Sequence, residues 1–347
     1  MKNIIKKNYL HIIILTLNVF FLFIFVKKAL LNTDTKISYL SFVLFTVLYS
    51  IVFRKKMLME KIREQEQIKS KWDMALKKLK KNKNSMLGLG IITLMIYIVM
   101  LAPFLATYNP VEIDWSSISQ GPSKAHWFGT DEFGRDLFSR TLYGSRVAMG
   151  VGVLAVMINS LIGTILGLTA GYYGGKVDNI IMRIVEIWNS IPFILLAIVL
   201  MSTFGTGLIN LIIVVSLTGI MGFVRVVRSS VLLVKEMDYV SAARVMAIPD
   251  LHIITKHILP NCIGPIIVLS TLRIGDIILT VAGLSFLGLG IQPPTSSWGQ
   301  MLSSGQQYLS VNVWMSVIPG ICILLTVFGF NLFGDGLRDA LDSKLID

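Results

Sequence analysis

The sequence predicts an all-α integral membrane protein, and three observations carry that expectation. Hydrophobic residues make up 54% of the 347 and charged residues only 15%, where a soluble domain carries about 25% charged. Mean hydropathy is +0.71. Apolar runs of about 20 residues recur along the chain, the length that crosses a bilayer at about 1.5 Å per residue. Helices let such runs satisfy their own backbone hydrogen bonds in hydrocarbon.

Charge sets orientation. The formal net charge is +12 with a sequence pI of about 9.6, which could suggest nucleic acid. However, Arg54–Lys83 alone holds 12 Lys/Arg against four Asp/Glu. Cations packed beside membrane spans follow the positive-inside rule, and no nucleic-acid recognition motif is present. The two cysteines, Cys262 and Cys322, lie 60 residues apart in or beside apolar spans and form no CxxC pair, so neither a metal site nor a disulfide framework is indicated. Met1–Lys7 is basic and an apolar stretch follows. Asn8–Val26 is long for a signal h-region and no small-x-small cleavage site follows it, so a retained helix is expected.

Eight spans are expected. Tyr9–Val26 and Ile37–Phe53 form an N-terminal hairpin around the polar connection Lys27–Lys36. In the basic stretch Arg54–Asn84, Ile68, Trp72, Ala75, Leu76 and Leu79 recur at helical spacing with lysines between them. That pattern predicts an amphipathic helix on the anionic inner leaflet, with membrane lipid as its partner. Six core spans follow: Leu87–Thr107, Arg146–Ala170, Ile180–Phe204, Leu208–Val231, Ile263–Leu289 and Val313–Phe333. Arg225, Arg228, Lys235, Arg244 and Lys256 surround the connection Leu232–Cys262, while Gln292–Asn312 contains no Lys or Arg. The first is therefore cytoplasmic and the second external. By alternation Arg54–Asn84 and both termini are inside, and Tyr108–Ser145 is outside. Lys27, Lys28 and Lys36 would then face outward, against the rule.

The external segments Tyr108–Ser145 and Gln292–Tyr308 are long and polar. They are candidates for docking a partner or closing a pore. Glycines crowd the second core span: Gly150, Gly152, Gly163, Gly167, Gly171, Gly174 and Gly175. The spacings Gly163–Gly167 and Gly167–Gly171 are GxxxG, which predicts close helix packing rather than substrate contact.

Chemistry within the chain is not expected. The nearest approach to a phosphate-binding loop is Gly175-Lys176, but its first glycine position is Ala170 and the residue after the lysine is Val177. His11, His126, His252 and His257 form no HExxH pair, and no GxSxG elbow occurs. No cofactor or metal is expected in this chain.

The informative stretch is Asp238–Asn261. Val240–Met246 is helix-compatible, with Ala242 and Ala243 as a small bare patch. Pro249 pushes Ile248 out of the α region and starts a second short helix. Leu251, Ile254, Ile258 and Leu259 give that helix an apolar stripe, and Pro260 marks re-entry into the membrane. An amphipathic helix with a small-residue face suits a groove on a cytoplasmic partner.

This stretch resembles the EAA loop of ABC-importer permeases, in which a small-residue pair, a glycine four positions on and a distant Ile-x-Leu-Pro dock on the ATPase. Here the corresponding residues are Ser241-Ala242-Ala243, Ala247 and Ile258-Leu259-Pro260-Asn261. Ser241 stands where an acidic residue is usual, and Ala247 where glycine is. Alanine leaves room for close packing but disfavours a left-handed turn.

The wider chain is similar to the C-type subunit of the oligopeptide/dipeptide/nickel permeases over roughly residues 75–347. The likeness is carried by Leu79–Asp114, His126-Trp-Phe-Gly-Thr-Asp-Glu-Phe-Gly-Arg-Asp-Leu-Phe-Ser-Arg140, Ala170-Gly-Tyr-Tyr-Gly-Gly175, Gly283-Leu-Ser-Phe-Leu-Gly-Leu-Gly290 and Asn331–Asp342.

The resemblance implies a type I permease core of six helices, with the N-terminal hairpin at 1–53, a basic linker at 54–86 and the permease domain at 87–347. It implies a second homologous permease, two cytoplasmic ATPase subunits that bind ATP and Mg, and an extracellular solute-binding protein, in the plasma membrane of a prokaryote. The coupling loop, 235–262, would act through Asp238, Tyr239, Ser241, Ala242, Ala243, Arg244, Ala247, Pro249, Leu259 and Pro260. Gly129, Thr130, Asp131, Gly134, Arg135, Asp136 and Trp298 would dock the external partner or gate the pore. Peptides are the expected cargo, with nickel or a metallophore as the alternative. An ion-driven carrier would need ionisable groups deep in the membrane. Arg273 and Asp276, near the cytoplasmic third of the fifth core span, are the adjacent candidates, and no intramembrane charge cluster marks a tight substrate site. A purely structural membrane protein would have no use for a coupling loop.

Overall fold

The computed structural model describes residues 71–341. The expected hairpin, Tyr9–Val26 and Ile37–Phe53, and the start of the basic linker lie outside the described residues. Two helices open the described chain, α1 (Lys71–Lys81) and α2 (Lys83–Leu105). Then come α3 (Leu137–Tyr173), α4 (Gly175–Ser190), α5 (Phe193–Phe204) and α6 (Leu208–Val234). A short α7 (Asp238–Val245) leads to α8 (Asp250–Ile253), which runs through the π-helical turn Ile254–Ile258 into α9 (Leu259–Phe286). Helices α10 (Trp298–Gln307) and α11 (Trp314–Leu341) complete it. Among the described residues, five helices are long and apolar enough to cross a membrane, or six if the bent pair α4–α5 counts as one.

That bend has a local cause. The expected span Ile180–Phe204 contains Pro192, which forces Ile191 to an extended backbone at φ −92°, ψ 127°. The two helices meet at 89°. Ser190 Oγ donates to the Ile187 carbonyl at 2.7 Å, satisfying an acceptor that the break frees.

Other boundaries moved for reasons of capping. α3 begins at Leu137 rather than Arg146 because Asp136 accepts from the Ser139 amide at 2.8 Å. Its 37 residues reach about 55 Å, so it protrudes beyond hydrocarbon about 30 Å thick. Asn82 caps α2 in the same way, accepting from the Asn84 and Ser85 amides. Helix α10 was not expected. It has no apolar run, and Ser297 starts it by accepting from the Gln300 amide at 3.3 Å.

The amphipathic stripe of α1 is put to a different use. Ala75 and Leu79 bury against Ala340, Phe333, Leu337 and Leu341 of α11. Leu76 and the lysines Lys77, Lys80 and Lys81 are left exposed.

The centre of the bundle is the α3–α6 pair. A Cβ at Gly163 would sit 2.3 Å from Phe223 Cβ, and one at Gly167 or Gly171 would sit 2.7 Å from Val227 or Val231 Cβ. The ridge Phe223, Val227, Val231 therefore fills the groove left by the glycines, the packing expected of the two GxxxG spacings. Such packing, rather than water exclusion, drives helix association in lipid. Val151 and Ala155 of α3, Met201 of α5, Leu211 and Val214 of α6 and Val281 of α9 continue one core.

The two expected external segments and the loop 235–262 lie at opposite ends of the bundle. Asn312 beside α11 donates to the Gln120 and Thr130 carbonyls, which gathers both expected external segments at one end. The loop 235–262 packs at the other, beside Leu168 and Tyr172.

Candidate functional site

The loop between α6 and α9 is a braced elbow. Its inner face is Val240, Ala243, Ile253, Ile254 and Ile258, buried with Leu168 and Tyr172 of α3 and Val227, Val231 and Val234 of α6. Ala243 is 1% exposed, so the small-residue pair does not present both members outward: Ala242 faces out and Ala243 faces in. The outer face carries Val245 at 87% and Leu251 at 73% exposed, with Met246 between them. Sequence reasoning passed over Val245 and Met246. Asp238, Tyr239, Ser241, Arg244 and Pro249 are exposed.

The elbow turns at Ala247. The Ile248 amide donates to the Ala243 carbonyl at 3.2 Å and the Ala247 amide to Arg244 at 2.9 Å. These are the two bonds of a Schellman motif, with Ile248 returning to the core beside Ala243. The motif needs a left-handed residue, and Ala247 adopts φ +54°. At the end of α9 the same pair of bonds, Leu289 to Leu284 and Gly288 to Ser285, closes on Gly288 at φ +78°. The expected penalty of alanine is thus accepted at Ala247 without loss of the turn.

Pro249 starts the return arm, its carbonyl accepting from the His252 and Ile253 amides. The arm is not a separate short helix. It continues through the π-helical turn into α9, so Leu259 and Pro260 lie inside one continuous rod rather than at a re-entry break. Displacing the elbow therefore displaces a membrane helix.

Polar struts tie the elbow to α3. Tyr172 Oη donates to Asp250 Oδ1 at 2.6 Å, and the Arg244 guanidinium sits 5.1 Å over the Tyr172 ring. Lys235 Nζ reaches the Gly171 carbonyl at 3.2 Å. Arg228 of α6 holds Asp178 of α4 through both carboxylate oxygens. Tyr172 and Asp250 were not expected to act together, because 78 residues separate them. Partial desolvation of the exposed Tyr239 raises its phenol above the ordinary pKa, and its oxygen accepts from Asn261 Nδ2 at 3.2 Å.

At the opposite end the expected docking residues are turned inward. Asp131 Oδ1 accepts from the amides of Phe133 and Arg135, and Oδ2 from Arg135 Nε at 2.7 Å. Buried Arg140 donates to the Pro110 carbonyl at 3.0 Å and to Gln300 at 3.3 Å. Asp136 gathers His126, Thr107 and Ser139, and buried Thr130 accepts from the Gln120 amide. Gly129 and Gly134 have φ of +83° and +74°, and a Cβ at Gly134 would fall 1.8 Å from the Asp114 carbonyl oxygen. Trp298 Nε1 donates to the Thr141 carbonyl at 3.0 Å with its ring against Gly144. These residues build the cap. The surface it offers is Trp115, Trp127 and Phe133. Hydrogen bonds from Ser116 hold the exposed Asp114 carboxyl below its ordinary pKa.

A bundle of membrane helices with a braced elbow continuous with one of them at one end and a built polar cap at the other is the arrangement of a multi-pass permease subunit. Residues 163–347 match the family described as binding-protein-dependent transport system inner membrane component, and residues 70–122 match the N-terminal TM domain of oligopeptide transport permease C. The chain is similar to the dipeptide transport system permease protein DppC of Alkalihalophilus pseudofirmus, 46% identical over 80% of this chain and 91% of that one. It is 44% identical to the glutathione transport system permease protein GsiD of Pectobacterium atrosepticum, over 73% and 85%. It is also 44% identical to the probable D,D-dipeptide transport system permease protein DdpC of Escherichia coli, over 73% and 85%. The chain belongs to the binding-protein-dependent inner membrane permease family of ABC importers and is a multi-pass protein of the bacterial plasma membrane.

Proposed function

We propose that this chain forms half of the translocation pore of a peptide importer and borrows its ATPase from separate cytoplasmic subunits. The observation that carries the reading is the elbow: Val245, Met246 and Leu251 are exposed on one face while the other is locked into the bundle. An apolar tip on a rigid arm fits a groove in a cytoplasmic partner. The three relatives named above are called dipeptide, glutathione and D,D-dipeptide permeases, which supports small peptides as cargo.

In this scheme two ATPase subunits bind ATP and Mg and close on each other, drawing the elbows of this chain and of a second homologous permease together. Each elbow is continuous with α9, so the bundle switches between two packed states. An extracellular solute-binding protein delivers the peptide to the capped end. The sequence lacks a phosphate-binding loop, and the isolated chain is expected to hydrolyse no ATP.

The test is coexpression with a cognate second permease, ATPase subunits and binding protein, followed by purification and reconstitution. ATPase subunits should copurify, and labelled dipeptide should enter vesicles only with ATP and the binding protein present. ATP turnover by the isolated, uncontaminated chain would end the borrowed-ATPase reading. A complete complex that moves no peptide would end the cargo reading.

A further inference from the structure

The bundle exposes two kinds of face. Along α3, Leu154, Met157, Leu161 and Ile165 form an exposed stripe without a polar side chain, as expected against lipid. The face shared by α4, α6 and α9 is different. Arg225 on α6 is exposed, and among the described residues no acidic group pairs with it. It lines a cavity of about 400 Å³ together with Met182, Val185, Glu186, Asn189 and Ser190 of α4. One turn away on α6, Gly222 leaves the space that Arg273 of α9 occupies: a Cβ there would lie 3.0 Å from Arg273 Nη2. Arg273 Nη1 donates to Asp276 at 3.3 Å, with the two side chains 40% and 58% exposed. The charges that the sequence leaves scattered are brought onto one surface.

Depth makes this surface informative. Arg273 and Asp276 stand 13 and 10 residues before the external end of α9 at Phe286, or about 20 and 15 Å along the axis. Asp276 is therefore near the middle of hydrocarbon about 30 Å thick, not in the cytoplasmic third that the sequence suggests, and its short side chain cannot reach either interface. Ionisable groups at such depth face a bundle interior, a partner helix or a water-filled cavity rather than lipid. Glu186 is neutralised by Arg183 at 3.0 Å and Asp276 by Arg273, which leaves Arg225 as the uncompensated cation of the group. A cavity of this size lies within the usual range of small-molecule sites, roughly 300–1,000 Å³.

We propose that this face lines the cytoplasmic half of an aqueous route and that Arg225 receives a carboxylate of the passing solute, with the Arg273–Asp276 pair holding the wall beside it. Under the peptide-import reading, on which this assignment of the ligand rests, that carboxylate is the free C-terminus of the peptide. Arg225 stands nine residues before the cytoplasmic end of α6 at Val234, about 14 Å along the axis, so the rival anion is a phosphate of the inner leaflet, which would place Arg225 against lipid.

The experiment uses the complete transporter, with Cys262 and Cys322 replaced by alanine and uptake shown to persist. Arg225→Cys, Asp276→Cys and Leu161→Cys are exposed, in inside-out vesicles without ATP, to a charged membrane-impermeant methanethiosulfonate. Cysteines at 225 and 276 should react and the one at 161 should not. Separately, Arg225→Gln should lower dipeptide uptake about tenfold, the loss of one charge-assisted contact. Arg225→Lys should retain most of the uptake, and binding-protein-stimulated ATP hydrolysis should persist in both. Cysteines at 225 and 276 as inert as the one at 161 would place this face against lipid or a partner and overturn the route. Wild-type uptake by Arg225→Gln would overturn the role of Arg225. If the unmodified complex moved no dipeptide, the cargo reading would fall, while the thiol reactivities would still decide whether this face meets water.

Discussion

The phenol of Tyr172 and the carboxylate of Asp250 meet at 2.6 Å, joining the last turn of α3 to the start of the elbow's return arm. Tyr172 belongs to the helix whose glycines lock it to α6. Asp250 opens the rod that becomes α9. The bond thus closes a triangle of α3, the elbow and α9, and a push on the elbow reaches both helices.

Tyr172→Phe removes that hydroxyl and keeps the ring under Arg244. A hydrogen bond to a charged group contributes about 1.5–3 kcal/mol when buried, and Tyr172 and Asp250 are only partly shielded, so about 1 kcal/mol is expected. The complex should assemble and hydrolyse ATP, with more ATP consumed for each dipeptide imported. An unchanged ratio would show that the strut transmits nothing.

The two faces of the elbow should fail differently. Met246→Asp places a charge on the exposed tip, so the chain should fold and insert normally while the ATPase dissociates. Ala243→Glu puts a carboxylate among Val240, Ile253 and Ile258, where an unpaired charge is destabilising by several kcal/mol. It should lower the thermal midpoint of the chain itself. Copurified ATPase and thermal melting, measured at matched membrane levels, separate the two. Loss of ATPase from Ala243→Glu without any change in melting would mean that Ala243 faces the partner after all.

Ala247→Gly should stabilise the elbow. Alanine at φ +54° carries a left-handed penalty of about 1 kcal/mol that glycine does not. Gly288 at the matching position of α9 shows what the motif prefers. The thermal midpoint should rise by a degree or two at most, since glycine also loosens the unfolded chain. A fall would mean that the methyl group makes a contact worth more than the strain.

Much of this architecture is legible in the sequence because lipid leaves few options. Apolar length gives the spans, Lys/Arg distribution separates the loops of the two ends, and the GxxxG spacing finds the helix pair. What stays hidden depends on three-dimensional neighbours. Ala242 and Ala243 look alike in a string, yet their azimuth on α7 sends one out and the other in. The string Gly129–Asp136 reads as a polar external loop, but Asp131 binds Arg135, lies 3.3 Å from Arg140 Nε, and all three turn away from solvent. Pro192 is plain to see. Its 89° bend is not, because prolines at 103, 265 and 319 sit inside helices that continue. The Tyr172–Asp250 and Arg225–Gly222–Arg273 relations join segments far apart in the chain, which no local pattern can reveal.

One substitution at two places in α3 tests the bundle's central packing. A Cβ at Gly167 would lie 2.7 Å from Val227 Cβ and 2.9 Å from the Val224 carbonyl oxygen. Backbone and a β-branched carbon cannot rotate aside, so Gly167→Ala must drive α3 and α6 apart. Overpacking of this kind is destabilising by about 1–3 kcal/mol. The shift would also move Tyr172, five residues on, relative to the elbow. At Gly150 the same Cβ would meet nothing within 4 Å, and alanine there gains up to about 1 kcal/mol of helix propensity. Gly150→Ala should therefore melt at or above the wild-type temperature and Gly167→Ala several degrees below it, with uptake following the same order. Comparing the two purified variants in one detergent cancels the effect of the medium. Equal melting temperatures would mean that α3 and α6 are not in contact along the glycine groove, and the core of the fold described above would have to be redrawn.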